Sequence, residues 1–548
     1  MTDPLAPRMR WWGWGIDGHD APLPKAAAAL LRDELGAGDA PGAPAVALDR
    51  VELPDPALGA ESRARLAAVV GVEHVRDDRL ARVAHAAGRS YPDLVRLRRG
   101  RGLVAPDAVV YPGGHDEVAE VLAVCAQEAV AVIAFGGGTS VVGGVEPLRG
   151  PFAAAVSLDL ARMSGLRALD VRSQLATFAA GTTGPEVERL LGAHGLTLGH
   201  FPQSFEFSTV GGWAATRSAG QASSGYGRID ELVVALRATT PSGELATLPV
   251  PASAAGPDLR ALLLGSEGVL GVITEVTLRV RPRPRRQRYD AYSLPGFAAG
   301  TDALRALEQA GAAPDVVRLS DEEETRLSLA LASHPAAARL LRAYMRGRGR
   351  GHPKGCMTIL GFDGEPSQVA RRRTRARSIL RRHGAIALGP APGAAWAKGR
   401  FHGAYVRDEL LRRGVLVDTL ETATTWTALA TLHSDVGAAL HGALARRGTP
   451  AVVMCHVSHL YPTGASLYFT FLARQEGGAE LEQWQAAKTA ASEAISSAGA
   501  TITHHHAVGR DHAPWLAGEI GELGIATLRA VKARVDPVGI MNPGKLLP

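Results

Sequence analysis

Three consecutive glycines are the part of the sequence best suited to binding a phosphate group. Gly136, Gly137 and Gly138 follow the apolar run 130–135 and precede Thr139-Ser140. Successive glycines can adopt positive φ and turn several N–H groups toward one point, which forms an anion-binding array that fits a pyrophosphate. No helical pattern follows at once, so this is not the opening of a Rossmann unit. Taken alone, the loop is more typical of a tight glycine turn.

Proton transfer chemistry is offered by a run of three histidines, His504–His506, and by Tyr468. Imidazole and phenol groups can both exchange protons with a substrate. Arg407 adds a cation of the kind that binds phosphate or carboxylate. Each residue also has a plain structural interpretation: the histidines as a solvated or metal-capturing tract, the tyrosine as an ordinary strand residue, and the arginine as a surface ion pair with Asp408.

Composition describes a globular chain with large cores. The 548 residues are 46% hydrophobic and 21% charged, with a formal net charge of +6. A basic balance suits nucleic acid, anionic lipid or a phosphorylated substrate, and composition does not choose among them. The three cysteines, Cys125, Cys356 and Cys455, are odd in number and far apart. They predict a reducing compartment and three core thiols without disulfides.

No apolar stretch approaches the ~20 residues that span a bilayer, and the first residues lack the apolar region of a signal peptide. We therefore expect a soluble, cytoplasmic protein. The arginine-rich segment 371–382 could contact anionic lipid, which leaves peripheral membrane contact open. A solvated helix face opposite a buried apolar stripe is the favoured interpretation, and no nucleic-acid recognition module accompanies the arginines.

Changes in composition and in helix and strand patterns along the chain predict four regions. Residues 1–103 are a helical lead-in, 104–284 a β-rich domain, 285–500 a second domain, and 501–548 a C-terminal segment with the histidine run. The break near 284 rests on the segment 282–288, whose alternating prolines continue neither a helix nor a central sheet. The helices expected from apolar periodicity are 24–35, 60–70, 77–88, 115–128, 184–194, 366–383, 423–447 and 478–498. The strands expected are 108–111, 130–135, 153–158, 175–179, 232–239, 269–281, 357–362, 451–458 and 466–473.

Three segments in this order resemble the FAD-binding domain of the vanillyl-alcohol-oxidase (PCMH-type) flavoproteins: the glycine loop, 203–213 and 265–275. The resemblance implies an α+β fold, in which a PCMH-type FAD-binding domain is covered by an α+β cap domain of antiparallel sheet and helices. It also implies noncovalently bound FAD. Trp213 is expected to be core packing. The residues that the resemblance assigns to FAD are Ala134, Phe135, Gly136, Gly137, Gly138, Thr139, Ser140, Gln203, Ser204, Phe205, Glu206, Phe207, Ser208, Thr209, Thr216, Arg217, Ser218, Ala219, Glu267, Gly268, Val269, Leu270, Gly271, Val272 and Ile273.

Within that superfamily the chain is most similar to the alkyldihydroxyacetonephosphate synthase family. The likeness runs from the aromatic opening 10–15 through 405–408 and 467–469 to the terminal 536–547. It implies a redox-neutral exchange of the acyl group of acyl-dihydroxyacetone phosphate for a long-chain alcohol, the ether-forming step of lipid synthesis. FAD would act as electron sink and tether. The resemblance is also compatible with a homodimer.

The same resemblance assigns roles at the site. Tyr468 would be the acid/base, with its pKa lowered by nearby cations, and Arg407 the substrate-phosphate or carboxylate anchor. Arg318, His504, His505 and His506 would complete the catalytic set, without a metal.

The alternative is a FAD-dependent 2-hydroxy-acid oxidase or dehydrogenase. Those enzymes commonly carry histidine where this chain has Tyr468, and glutamate where it has His505. Ala507 departs from the glycine usual after the histidines in the synthases, which leaves the substrate open.

If 501–506 is a strand, His504 and His506 face one way and His505 the other. We then expect His506 on the flavin side.

Overall fold

The computed structural model describes residues 5–23, 25–37, 44–332 and 334–547. Within these ranges no helix combines the length and apolar character that crossing a membrane requires. The expected helix 24–35 starts at a residue outside the described ranges. The three cysteines are buried and free, as predicted.

The N-terminal region is mostly helical. The helix expected over 77–88 is wrong in extent, because the helix runs only from Arg79 to Ala84. Gly88 lies beyond its end, where a Cβ would be 2.4 Å from the carbonyl oxygen of Ser140. A new helix starts after Ser90, whose hydroxyl and the Asp93 carboxylate form a capping box. The elements of this region are α1 (Lys25–Leu35), α2 (Ala60–Val70), β1 (Val75–Arg76), α3 (Arg79–Ala84) and α4 (Tyr91–Arg99).

The next region contains most of a four-stranded sheet, a five-stranded sheet and a two-stranded pair. Its elements are β2 (Ala108–Val110), α5 (His115–Gln127), β3 (Val130–Phe135), β4 (Ala154–Asp159), β5 (Leu166–Asp170), β6 (Leu175–Ala179), α6 (Gly184–Gly192), β7 (Leu196–Thr197), α7 (Val210–Thr216), α8 (Ser223–Tyr226), α9 (Ile229–Leu232), β8 (Val233–Thr240), β9 (Gly243–Ala246), α10 (Leu259–Leu263), β10 (Val272–Arg279) and β11 (Arg281–Pro282).

The first sheet has the order β1-β2-β4-β3, with β2, β3 and β4 parallel. Parallel strands need a crossover, and α5 supplies it by burying Val118, Val121, Leu122 and Cys125, which are spaced as one helix face. The second sheet, β5-β6-β10-β8-β9, is antiparallel. The glycine loop therefore leaves the carboxyl end of β3, where α/β sheets commonly bind ligands.

The cap region consists of one large sheet and its covering helices. Its elements are β12 (Arg286–Leu294), α11 (Phe297–Gln309), β13 (Val316–Ser320), α12 (Glu322–Ala330), α13 (Pro335–Gly347), β14 (Cys356–Gly364), α14 (Pro366–Arg382), β15 (Ile386–Gly389), α15 (Ala391–Gly399), α16 (Gly403–Arg412), β16 (Val415–Thr425), α17 (Leu429–Arg446), β17 (Ala451–Tyr461), β18 (Gly464–Arg474) and α18 (Glu480–Ser497).

The cap sheet has the order β15-β12-β14-β13-β17-β18-β16, and every adjacent pair is antiparallel. Helix α17 buries Leu432, Val436, Leu440 and Leu444 in the main core. The arginine-rich α14 buries the predicted apolar stripe and leaves most of its arginines exposed. The expected cap architecture, an antiparallel sheet covered by helices, is confirmed.

Several boundaries differ from the sequence prediction: the strand expected over 269–281 is β10 followed by the short β11, and the strand expected over 451–458 extends to Tyr461. The helix expected over 423–447 begins only at Leu429, because 423–425 complete strand β16. The connection expected over 282–288 is reduced to 283–285, since Pro282 pairs with Leu196 and β12 already begins at Arg286. Proline is tolerated there because the two-residue pair is a sheet edge.

The C-terminal segment returns to the first sheet and contains α19 (Ala513–Val535), which has a kink at Gly521. Met541 bridges to Val132 in parallel, and the N–H of Asn542 donates to the carbonyl of Val132. The segment 501–506 is a loop of bends and not the expected strand. Its backbone N–H groups are taken by a carboxylate, as described below, so they are not available for a ladder.

Candidate active site

A cavity of about 460 Å³ lies between the glycine loop and the cap sheet. Its wall combines the three segments singled out for FAD with residues of β13, α16, β16, β17, β18 and the C-terminal loop. Volumes of this order are typical of small-molecule and cofactor sites.

The glycine loop presents unused donors to this cavity. Among the described contacts, the backbone N–H groups of 136–141 donate to no other protein group. Gly138 has φ +63°, the left-handed conformation that helps to turn the loop. A Cβ at Gly137 would lie 2.1 Å from the carbonyl oxygen of Phe207, so the two segments meet without room for a side chain. Successive amides without a protein acceptor on a cavity wall fit the pyrophosphate of a dinucleotide.

The segment before α7 is held by short side-chain contacts. Thr209 caps the helix by accepting the N–H of Gly212 at 3.3 Å. The Trp213 indole donates to the Ser208 hydroxyl at 2.7 Å. Trp213 is 2% exposed and belongs to a core cluster, as expected, and it also contributes to the cavity wall.

The third segment ties the cavity to the C-terminus through Glu267. This carboxylate accepts the N–H groups of Val508 and Gly509 at 2.8 and 2.7 Å. Burial raises the pKa of Glu267 to about 7, against the two backbone N–H donors that lower it. The Asn542 amide donates to the carbonyl oxygen of Glu267 at 2.6 Å.

Most of the residues expected to contact FAD line the cavity. These are Ala134, Phe135, Gly136, Gly137, Gly138, Thr139, Ser140, Gln203, Ser204, Ser208, Thr209, Thr216, Ser218, Ala219, Glu267, Gly268, Gly271, Val272 and Ile273. The expected residues that lie outside its lining are Phe205, Glu206, Phe207, Arg217, Val269 and Leu270. Arg217 turns away because its guanidinium donates to the carbonyls of Leu264 and Ala261. Val269 and Leu270 are buried at 1% and 3% exposure.

Tyr468 stands on β18 between two strands that carry polar side chains. Its backbone pairs with Glu421 on β16 and with His456 on β17. Its ring stacks on the His456 ring with centroids 4.9 Å apart. Burial raises the pKa of Tyr468 to about 12, which outweighs the opposing effects of Thr419 and Arg318. The expected lowering of this pKa is therefore wrong, because nearby cations do not compensate for burial and for the carboxylates Glu421 and Asp418.

Arg318 lines the cavity from β13 and belongs to a buried network. Its guanidinium donates to Glu324 Oε1 at 2.6 Å and lies 3.2 Å from His456 Nε2. His456 Nδ1 lies 3.0 Å from the same Glu324 oxygen. Burial alone would raise the pKa of Glu324, but Arg318 and His456 together hold it well below its usual range. Arg318 thus fixes the imidazole that stacks on Tyr468.

The three histidines follow one another around a single carboxylate. Glu421 accepts the backbone N–H groups of His504, His505 and His506 at 2.5, 2.9 and 2.6 Å. It also accepts the Thr503 hydroxyl at 2.7 Å. We call residues 503–509 the histidine loop; it is held by Glu421 at its start and by Glu267 at its end.

This wrapping changes which imidazoles face the cavity. His505 and His506 both line it, while His504 does not. His504 Nε2 instead lies 2.6 Å from the Tyr461 hydroxyl, and its Nδ1 lies 2.9 Å from Nδ1 of His505. The alternation expected for a strand is wrong for that reason. Burial is the main cause that lowers the pKa of His505 and of His506 to about 3, so both imidazoles are neutral near pH 7.

Arg407 reaches the cavity wall from α16, beside a segment of the N-terminus. Its Nε is buried without a hydrogen-bond partner among the described residues. The neighbouring Asp408 accepts the backbone N–H of Trp14 at 2.7 Å, and Trp14 lines the same cavity. The aromatic opening of the sequence is therefore part of the site wall.

Sequence reasoning missed several other polar wall residues, notably His456 and His459 on β17. Their spacing of three would place them on opposite faces of a regular strand. The register of β17 against β18 shifts between Val457 and Leu460, and this bulge allows both side chains to line the cavity. No local pattern in the sequence predicts such a bulge.

Comparisons with known proteins agree with this architecture. A family model described as "FAD binding domain" matches residues 106–249, and one described as "FAD linked oxidases, C-terminal domain" matches residues 283–546. Alkyldihydroxyacetonephosphate synthase of Dictyostelium discoideum is 35% identical over 511 residues, covering 92% of this chain and 84% of its own. The Trypanosoma brucei brucei synthase is 33% identical, with 90% of this chain and 82% of its own covered. A solved alkyldihydroxyacetonephosphate synthase structure superposes with a TM-score of 0.85 at 32% identity, covering 98% of each chain.

Proposed function

The chain belongs to the alkyldihydroxyacetonephosphate synthase family of FAD-dependent enzymes, and from that membership we propose that it exchanges the acyl group of acyl-dihydroxyacetone phosphate for a long-chain alcohol. In this reaction the bond between C1 and the acyl oxygen breaks, and the alcohol oxygen forms a new bond to C1. The fatty acid leaves, and no electrons are gained or lost overall.

One observation carries the proposal: a phenol, two neutral imidazoles and two arginines line the cavity that the glycine loop closes on its other side. These residues are Tyr468, His505, His506, Arg318 and Arg407. When bound, FAD supplies an isoalloxazine ring that serves as a reversible electron sink, so the exchange needs no external acceptor.

The glycine loop and the segments around Thr209 and Glu267 would hold this cofactor. The free N–H groups of 136–141 suit its two phosphates, whose negative charge they meet without a competing protein acceptor. Arg407 is the cation that would anchor the phosphate of the substrate from the cap side.

We assign proton transfer at C1 of the substrate to Tyr468 and the neighbouring imidazoles. Because the pKa of Tyr468 is raised to about 12, the phenol is protonated at neutral pH and begins as a proton donor. The phenol can accept a proton from the substrate only after its own proton has moved to another group. The rings of His505 and His506 lie 6.0 and 5.5 Å from the tyrosine ring, and the negative charge of a bound phosphate would raise their proton affinity.

The test is an exchange assay with a labelled alcohol. Purified holoprotein is incubated with acyl-dihydroxyacetone phosphate and a radiolabelled C16 alcohol, without any electron acceptor. Label is expected in an ether product, together with release of an equal amount of fatty acid. Absence of ether product with flavin-loaded protein contradicts the proposal.

A second candidate, the FAD-dependent oxidation of a 2-hydroxy acid, is favoured by one observation. His459, His504 and His505 offer imidazole nitrogens that lie within 4.8 Å of one another, close enough for one cation. Oxidases of this kind must pass electrons to an acceptor. Turnover of lactate or glycolate that depends on an added dye, in protein that makes no ether, would select this candidate.

The cellular location and any membrane contact stay proposals. We infer a cytoplasmic enzyme that meets its lipid substrates at a membrane surface, supported by the exposed arginines of α14. Sedimentation with anionic vesicles in place of neutral ones tests this contact.

A further inference from the structure

Glu421 is the residue around which the histidine loop folds. It lies on β16, far in sequence from the histidines, and is 1% exposed. Its two carboxylate oxygens receive four donors from four successive residues: the Thr503 hydroxyl and the N–H groups of His504, His505 and His506. A ring of successive N–H groups around one anion is the same device by which backbone loops hold phosphate.

The position of Glu421 in the sheet links this loop to the tyrosine. Glu421 and Tyr468 are directly opposite each other in the antiparallel pair of β16 and β18. Residues opposite each other in such a pair project to the same face, so one sheet position fixes both groups relative to each other. The imidazole Nδ1 atoms of His505 and His506 lie 3.5 and 3.7 Å from the same carboxylate.

We propose that Glu421 is a positioning residue that holds His505 and His506 beside Tyr468, where the ring centroids lie 6.0 and 5.5 Å from that of the tyrosine. It touches neither substrate nor cofactor, since it is absent from the cavity wall. Glu421 positions the two imidazoles by holding the backbone of the histidine loop. The proposal rests on the proposed function, because it assigns these groups to one reaction.

Replacement of a carboxylate by its amide isolates the effect. In Glu421→Gln the side chain keeps its size, but one oxygen becomes an NH₂ group that faces N–H donors. At least one buried N–H then loses its acceptor, so the histidine loop is no longer held in one position. We expect kcat to fall about 10- to 100-fold, a part of the ~10²–10⁴-fold that positioned acid–base groups contribute, while KM for acyl-dihydroxyacetone phosphate changes less than threefold. Because a smaller folded fraction would also lower the apparent kcat at unchanged KM, kcat is expressed per flavin-loaded enzyme, and a residue that acted only in global folding would then leave it unchanged.

Glu519→Gln is the matched control. Glu519 is an exposed carboxylate that accepts the Thr501 hydroxyl at 2.7 Å and the N–H of Ile502 at 2.9 Å, just before the histidine loop. It contacts none of the histidines among the described residues. We expect its kcat to stay within twofold of the unsubstituted protein.

A readout independent of turnover is hydrogen–deuterium exchange of the peptide that covers 503–509. Loss of acceptors at Glu421 should speed exchange of the three histidine amides, whereas Glu519→Gln should leave them protected. Unchanged exchange and unchanged kcat in Glu421→Gln would overturn the proposal. If the unsubstituted protein makes no ether, the proposed function fails, and the exchange data still decide whether Glu421 holds the loop.

Thr503→Val covers the case in which Glu421→Gln does not fold. This variant removes one of the four donors, and its shape is nearly that of threonine. A fall in kcat at unchanged Tm supports the assignment. Full kcat in a folded Thr503→Val protein contradicts it when Glu421→Gln yields no folded material.

Discussion

Glu267 and Glu421 hold the histidine loop from two different domains. Glu267, which follows α10 in the FAD-binding region, takes the N–H groups of Val508 and Gly509, and Glu421 on the cap strand β16 takes those of the three preceding histidines. Both carboxylates are buried. The histidine loop is therefore fixed at one end to the segment after α10 and at the other to the cap strand β16.

Glu267→Gln should weaken flavin retention. The amide cannot accept both N–H groups, and loss of a hydrogen bond to a charged group costs about 1.5–3 kcal/mol, or roughly 10- to 100-fold in affinity. The FAD dissociation constant, measured by fluorescence of released flavin, is expected to rise by this factor. Glu275→Gln on the neighbouring β10, outside the cavity wall, is expected to retain FAD normally. Equal retention in both variants would contradict the role given to Glu267.

Gly137→Ala should abolish flavin binding with a smaller effect on folding. The added Cβ would stand 2.1 Å from the Phe207 carbonyl oxygen, so the loop must move and carry its free N–H groups away from their present positions. We expect colourless protein that FAD does not reconstitute. Gly102→Ala, at a glycine with no atom within 4 Å of the added Cβ but with φ +69°, controls for backbone strain alone. Yellow Gly137→Ala protein would show that the loop does not bind the cofactor.

Much of the fold follows from sequence patterns. The apolar run 130–135 before three glycines predicted both the buried β3 and the loop at its end. The stripe on α14 was predicted because the spacing of its apolar residues matches one helix face. Strand β16 was not predicted, and its last residues, 423–425, were assigned to the helical pattern of α17, because a strand of this kind is defined by its pairing with β18.

The site was less accessible to sequence reasoning because its parts meet only in three dimensions. Tyr468 and Arg407 were found through resemblance to a family. Glu421 could not be found from the sequence, since an acidic residue in a strand gives the same sequence pattern whether it faces water or binds a distant loop. Trp14 is likewise positioned by a contact with Asp408, nearly four hundred residues away.

Tyr468→Phe should retain FAD and lose most turnover. General acid–base catalysis contributes about 10²–10⁴-fold, and phenylalanine preserves the stacking on His456 while it removes the proton. The exchange assay measures the loss, and the flavin absorbance spectrum confirms loading. Tyr292→Phe, a buried cap tyrosine outside the cavity wall, is the matched control. Full turnover in Tyr468→Phe would remove the phenol from the mechanism.

Asp408→Ala should release the N-terminal segment from the site. The Trp14 N–H would lose its acceptor, at a cost of about 1–3 kcal/mol for a buried donor. We expect faster limited proteolysis before residue 20 and a higher KM, because Trp14 and Arg407 line the same cavity. Glu409→Ala, next to it on α16, loses only ion pairs with Arg412 and Arg413 and should leave both properties unchanged. An unaltered KM in Asp408→Ala would separate Trp14 from substrate binding.

His506→Asn should change the pH dependence of stability in a defined direction. Burial lowers the pKa of His506 to about 3 in the folded state, whereas an unfolded histidine titrates near 6.5. Between these values the unfolded state binds the extra proton, so the histidine costs stability as the pH falls, by up to about 1.4 kcal/mol per pH unit. Asparagine does not bind this proton, so the variant does not carry this pH-dependent cost in stability. The Tm of the variant relative to the unsubstituted protein is therefore expected to rise as the pH is lowered from 7 to 5. A difference in Tm that stays constant between pH 7 and pH 5 for His506→Asn would show that this imidazole is not buried in its neutral form.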